Sequence, residues 1–134
     1  MATRSLIGKL NSDGTITNIY CHFDGYPEHN GVILQEYYNT PFKVDQLLAL
    51  GNLSVLGELI GEKQSFDDRT PGSCLAYGRD RGESNQQAQV STREEFFSTD
   101  HGVDYLYLYN NDFEWECYNA WTLTPENIPA ETTA

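Results

Sequence analysis

The chain has 134 residues, 39% of them apolar and 13% aromatic, with a formal net charge of −12 at pH 7. That suffices for one core, carries too many aromatics for a disordered chain, and holds no apolar run near the ~20 residues of a membrane helix. After Arg93 come Glu94, Glu95, Asp100, Asp104, Asp112, Glu114, Glu116, Glu126 and Glu131 with no lysine or arginine, a charge balance that repels nucleic acid and anionic membrane and attracts basic partners.

Residues 4–10 and 15–23 are predicted as a hairpin around Asn11-Ser12-Asp13-Gly14, where Asp-Gly supplies positive backbone angles. In its second strand Thr17, Ile19 and Cys21 share one face and Ile16, Asn18 and Tyr20 the other. Asp24-Gly25-Tyr26-Pro27 breaks the chain before a helix near 30–39 with the stripe Ile33, Leu34, Tyr37 and Tyr38. Thr40-Pro41 opens a second helix carrying Val44, Leu47 and Leu48, and Gly51 ends it. Residues 52–57 read as a short turn and 61–72 as loop.

Ser73–Tyr77 is expected to be a short central strand, followed by the loop Gly78-Arg79-Asp80-Arg81-Gly82-Glu83 and a Gln/Asn-rich linker over 84–90. Ser91 with Glu94, or Thr92 with Glu95, makes a capping box for a third helix through Phe96 and Phe97. The last pair of strands is Tyr105–Tyr109 and Phe113–Tyr118 around Asn110-Asn111-Asp112. The expectation is an α+β domain over 1–123, ordered ββ-αα-β-α-ββ. Its antiparallel sheet comes from two hairpins plus a central strand, its helices pack on one face, and a loose tail occupies 124–134. Cys21, Cys74 and Cys117 are widely spaced, and the N-terminus lacks the apolar core of a signal peptide. Both point to reduced thiols in a cytosolic, cytoplasmic setting.

Ile19-Tyr20-Cys21-His22-Phe23-Asp24-Gly25-Tyr26-Pro27, continuing to Gly31, resembles a family of small proteins encoded mainly by bacteriophages and prophages. Tyr37-Tyr38-Asn39, Gly51–Gly57 and Tyr77–Glu83 extend the resemblance over roughly 1–118. It implies a phage or mobile-element origin, hence the host cell cytosol, and transfers no catalytic residue.

Three groups of residues carry candidate chemistry. His22, Asp24 and His29, with Cys21 and Glu28 nearby, have imidazole and carboxylate at spacings that would hold zinc or manganese; the same residues equally serve as turn formers and caps. Arg79 and Arg81, with Tyr26 and Asp24, would chelate a phosphate or carboxylate from a glycine-flanked nest, or else form an internal salt-bridge knot. If Leu106, Leu108, Phe113, Trp115 and Cys117 point inward, Tyr105, Tyr107, Tyr109, Glu114, Glu116 and Tyr118 form an outward aromatic and acidic face for a basic partner. The competing view is that tyrosines suit strands and acids keep the protein soluble.

The leading expectation is a non-catalytic acidic binding protein that engages, and thereby inhibits, a host nucleic-acid-handling or defence factor through that hairpin face, its carboxylates imitating a phosphate backbone. The alternatives are a small-anion or nucleotide-binding protein using the Gly78–Gly82 loop, and a metal-dependent hydrolase. No cofactor, membrane contact or direct nucleic-acid binding is implied.

Overall fold

The computed structural model describes residues 2–129. Its first turn follows from its residues. Asp13 Oδ1 accepts from the Thr15 amide and hydroxyl at 3.0 and 2.6 Å, and Gly14 sits at φ +88°, where a side chain would be strained. This turn joins β1 (Ser5–Leu10) to β2 (Ile16–Cys21), antiparallel from Ser5↔Cys21 to Leu10↔Ile16.

A π-helical turn (Pro27–Gly31) then runs into α1 (Val32–Tyr37), and the Thr40 side chain caps α2 (Pro41–Ala49) by accepting the Lys43 amide. Where a short turn was expected, β3 (Leu53–Val55) forms instead, parallel to β2 and antiparallel to β4 (Leu75–Ala76). Tyr77, expected to end a strand, and Gly78–Arg81, expected as loop, form the short helix α3 (Tyr77–Arg81). The polar linker ends in β5 (Gln89–Ser91), which pairs with β2, and Thr92 with Glu95 forms the capping box of α4 (Arg93–Phe96). The chain finishes with β6 (Tyr105–Tyr109), β7 (Trp115–Asn119) and β8 (Pro125–Glu126).

The fold is α+β around one sheet, in the order β4-β3-β2-β1-β6-β7-β8. The antiparallel expectation needs correcting at two joints. β1 and β6 are parallel from Ser5↔Tyr105 to Lys9↔Tyr109, as are β2 and β3. Long crossovers separate the strands in both cases, and only a long connection can bring a second strand in parallel.

The helices do not share one face either. α1 and α2 bury Leu34, Val44, Leu47 and Leu48 against Ile7, Ile19, Tyr107 and Tyr109. Phe96 of α4 covers the other face with Leu6, Ile16, Leu106 and Leu108. Gly8 makes room for it, because a Cβ there would lie 2.7 Å from Ile16 and 3.0 Å from the Phe96 ring. Burying such a ring contributes about 1.5–3 kcal/mol.

The expected loose tail is tied down as far as it is described. β8 pairs with β7, and Ile128 packs on the core beside Gly31; residues 130–134 lie outside the described residues. All three cysteines are free and buried. Burial pushes the Cys21 and Cys117 thiols up to about 12, so both stay protonated at neutral pH. No helix among the described residues is long and apolar enough to cross a membrane.

Candidate functional site: a hollow at the strand ends

The C-terminal hairpin does not display its tyrosines. Tyr107 and Tyr109 are 0% and 1% exposed, beneath the helices with Cys117 and the half-buried Tyr105 and Trp115. The Tyr107 hydroxyl donates to Gly25 O at 2.6 Å, and Trp115 Nε1 donates to Tyr38 O at 2.8 Å. Burial pushes the Tyr107 phenol well above the ordinary tyrosine range. Leu106 and Leu108 face the opposite core, and Tyr118 packs there against Phe97. Glu116 is half-buried and accepts from Asn110 Nδ2 at 2.8 Å and from the Tyr118 hydroxyl at 2.5 Å. Phe113, expected inside, is 62% exposed. Tyr105, Tyr107, Tyr109, Glu114, Glu116 and Tyr118 therefore do not form one docking surface, because the sheet is covered on both faces.

The Arg79 loop is a structural knot. Arg79 Nε and Nη2 donate to the two Asp80 oxygens at 2.9 and 3.1 Å. Its Nη1 reaches the carbonyls of Ile60 and Gly61, and Nη2 also that of Cys74. This uses the fork of donors an anion would need. Asp80 also accepts from the amides of Ala76 and Gln64. Burial opposes the charge on Asp80, but these donors outweigh it and hold its carboxyl below the usual range. Arg81 lies over the Phe66 and Tyr77 rings, 4.6 and 5.0 Å from their centroids, and pairs with Glu83. Neither arginine pairs with Asp24, and the set Arg79, Arg81, Tyr26, Asp24 is not a site.

His22, Asp24 and His29 do not converge. Asp24 takes φ +57° at the break after β2 and, with His29, lines a cleft of about 220 Å³ with Glu58 and Arg69. His22 lines a different concavity. Tyr20 and Asn30 occupy one ring nitrogen each, at 2.7 Å from His22 Nδ1 and 3.0 Å from His29 Nδ1. No group of three or more His, Cys, Asp or Glu among the described residues is placed to hold a metal ion, so the hydrolase reading loses its ligand set.

The concavity around His22 is the better site. It measures about 760 Å³ and lies where four neighbouring strands end: Arg4 precedes β1, His22 and Phe23 follow β2, Asp104 precedes β6 and Trp121 follows β7. The backbone is firmly held. Asp104 N donates to Arg4 O at 2.8 Å, Ala120 N to Asp104 O at 3.0 Å, and the amides of His22 and Phe23 to Leu53 and Ser54 carbonyls. Asp104 is spent on this frame, one oxygen accepting the Arg4 amide and the other Trp121 Nε1, both at 3.1 Å. His22 packs edge-on against Phe23 at 4.5 Å.

Two kinds of group remain open. The exposed Arg4 guanidinium makes no hydrogen bond or ion pair among the described residues. Phe23 and Trp121 are 43% and 56% exposed. A guanidinium fork takes carboxylate or phosphate bidentately, and flat aromatic faces take another ring. Sequence reasoning singled out His22 but passed over Arg4, Phe23, Asp104 and Trp121, which meet only through the β1–β6 pairing. The available hints were a tryptophan just past a strand end with no apolar pattern around it, and an arginine just before one. Comparison of the chain with protein-family models, with curated proteins and with solved structures finds no match.

Proposed function

We propose that this chain is a small non-catalytic binding protein, of the phage type its motifs resemble, which captures a ligand bearing an anionic group beside a planar ring in the strand-end hollow. The observation that carries this reading is the Arg4 guanidinium, without a hydrogen bond or ion pair among the described residues, in one lining with exposed Phe23 and Trp121, in a chain with eight basic residues against twenty acidic ones. A nucleoside phosphate has that chemistry, so the anion-binding idea moves from Arg79 and Arg81 to Arg4. Of the lining's reactive groups, Asp104 already accepts from the Arg4 amide and Trp121 Nε1, and His22 Nδ1 lies 2.7 Å from the Tyr20 hydroxyl, which favours capture over turnover.

Adenosine monophosphate is the probe, read by melting temperature and by quenching of Trp121 fluorescence. A ligand at ~100 times its dissociation constant adds ~2.7 kcal/mol, and Arg4→Ala should abolish the shift while adenosine alone retains part of the quench. If none of the four common nucleoside monophosphates moves the melting point, this reading fails.

A second reading keeps the basic host partner. Glu94, Glu95, Asp100, Asp112, Glu114 and Glu126 are all exposed, with no base after Arg93 to neutralise them. An acid-rich surface of this kind occupies the basic groove of a nucleic-acid-handling or defence factor, and its hold weakens with salt. Capture that survives equally at low and high ionic strength would count against it.

A further inference from the structure

Another cavity lies at the opposite end of the sheet from the hollow, where the 11–14 and 110–113 turns meet the start of α2. It measures about 440 Å³ and is lined by Lys9, Pro41, Tyr109, Asn110 and Phe113, among other residues. Three observations bear on what it takes.

Tyr109 is 1% exposed, yet its hydroxyl has no hydrogen-bond partner among the described residues. A buried hydroxyl left in that state is costly, and each such group in a folded protein calls for a reason. Burial also raises its pKa, which keeps it a donor. Phe113 sits at φ +63°, a conformation that non-glycine side chains adopt at a cost. Its turn enforces this: Asn110 O accepts the Phe113 amide at 3.1 Å, and Asn110 Oδ1 accepts the amides of Asp112 and Glu114. The ring is thereby held out, 62% exposed, with its centroid 6.5 Å from that of Tyr109. The third observation concerns charge. Lys9 Nζ is already bound to Asp45 at 2.8 Å, and exposed Asp112 and Glu114 flank Phe113. An anion meets two exposed carboxylates here, and the lining cation is already paired, whereas Arg4 in the strand-end hollow has no ion pair among the described residues.

We infer that this cavity binds a neutral planar molecule carrying a carbonyl or amide oxygen, its ring against Phe113 and its oxygen accepting from the Tyr109 hydroxyl. The ring is already in place; the hydroxyl is closed to solvent in this structure, so the oxygen reaches it as its cover yields, and the donor then gains its missing partner. The site stands apart from the strand-end hollow and does not depend on it.

Benzamide is the probe, titrated into the full chain and followed by amide nitrogen–proton spectra. Saturable shifts are expected at Lys9–Ser12 and Asn110–Glu114. Tyr109→Phe keeps the ring and removes only a hydroxyl without a partner, so it should fold as well as the parent yet bind at least tenfold more weakly. Phe113→Ala, an exposed change, should also weaken binding at least tenfold. Benzoate, of the same shape but charged, should bind at least tenfold more weakly than benzamide. No saturable shift at these positions, equal binding by Tyr109→Phe, or benzoate binding as well as benzamide would each overturn the assignment.

Discussion

Arg79 and Arg4 are the same residue in opposite circumstances. Arg79 sits in a conspicuous Gly-Arg-Asp-Arg-Gly run, and its fork is spent on Asp80 and three carbonyls. Arg4 sits in unremarked sequence and lines a hollow with Phe23 and Trp121, where its guanidinium makes no hydrogen bond or ion pair among the described residues. An arginine's local sequence says little about its availability, because a guanidinium is closed or left open by groups that only the fold delivers. A donor already satisfied inside the protein stabilises it; one left open at a concave surface is available to a ligand.

The largest test of this contrast is Arg79→Ala. With side chains 18% and 0% exposed, Arg79 and Asp80 form a largely buried pair, and removing one partner leaves the other charged and unpaired. We expect a loss of about 3–5 kcal/mol by urea unfolding. Acid reads the same knot more gently. The folded-state pKa of Asp80 is depressed, so its stabilisation is fully present above the unfolded value of about 3.9 and is lost as pH falls through the folded value. Unfolding free energy should therefore drop on acidification below about pH 4, and less steeply in Asp80→Asn; equal slopes would show that Asp80 gains nothing from the knot.

Tyr107→Phe tests how firmly the core holds the turn behind the hollow, because Gly25 accepts the Tyr107 hydroxyl and donates to Thr3 O beside Arg4. Its expected cost is about 1–2 kcal/mol, with faster exchange of the Gly25 amide. The smallest effect belongs to Arg4→Ala. An exposed side chain with no hydrogen bond or ion pair among the described residues should change stability by no more than about 0.5 kcal/mol, while the adenosine monophosphate shift disappears. A large stability loss in Arg4→Ala would erase the contrast, since it would mean that Arg4 too is structural.

Much of the local structure was legible in the chain. Asp13-Gly14 set the first turn, Thr40-Pro41 the start of α2, and Thr92 with Glu95 the capping box of α4, because each acts within a few residues. The final hairpin was also legible, but not its orientation. Alternation separates two faces without saying which is wet, and Tyr105–Tyr109 is five consecutive large apolar residues, the signature of a strand buried on both sides. Reading that run as a central strand would have put Tyr107 and Tyr109 inside. The hollow was not legible, since Arg4, His22, Asp104 and Trp121 come from four separate strand ends.

Composition and short-range pattern thus determined an acidic α+β domain, its turns and its caps, because these depend on backbone preference and near neighbours. The tertiary structure alone decided that β1 lies parallel to β6, that both sheet faces are covered, that Arg79 is closed and that Arg4 is open. The strand pairing and the hollow around Arg4 rest on contacts between residues about a hundred positions apart, such as the Arg4 amide with Asp104, and Arg79 is closed by groups up to 19 positions away. No local preference encodes such a meeting; it follows from how the whole chain buries its apolar surface at once.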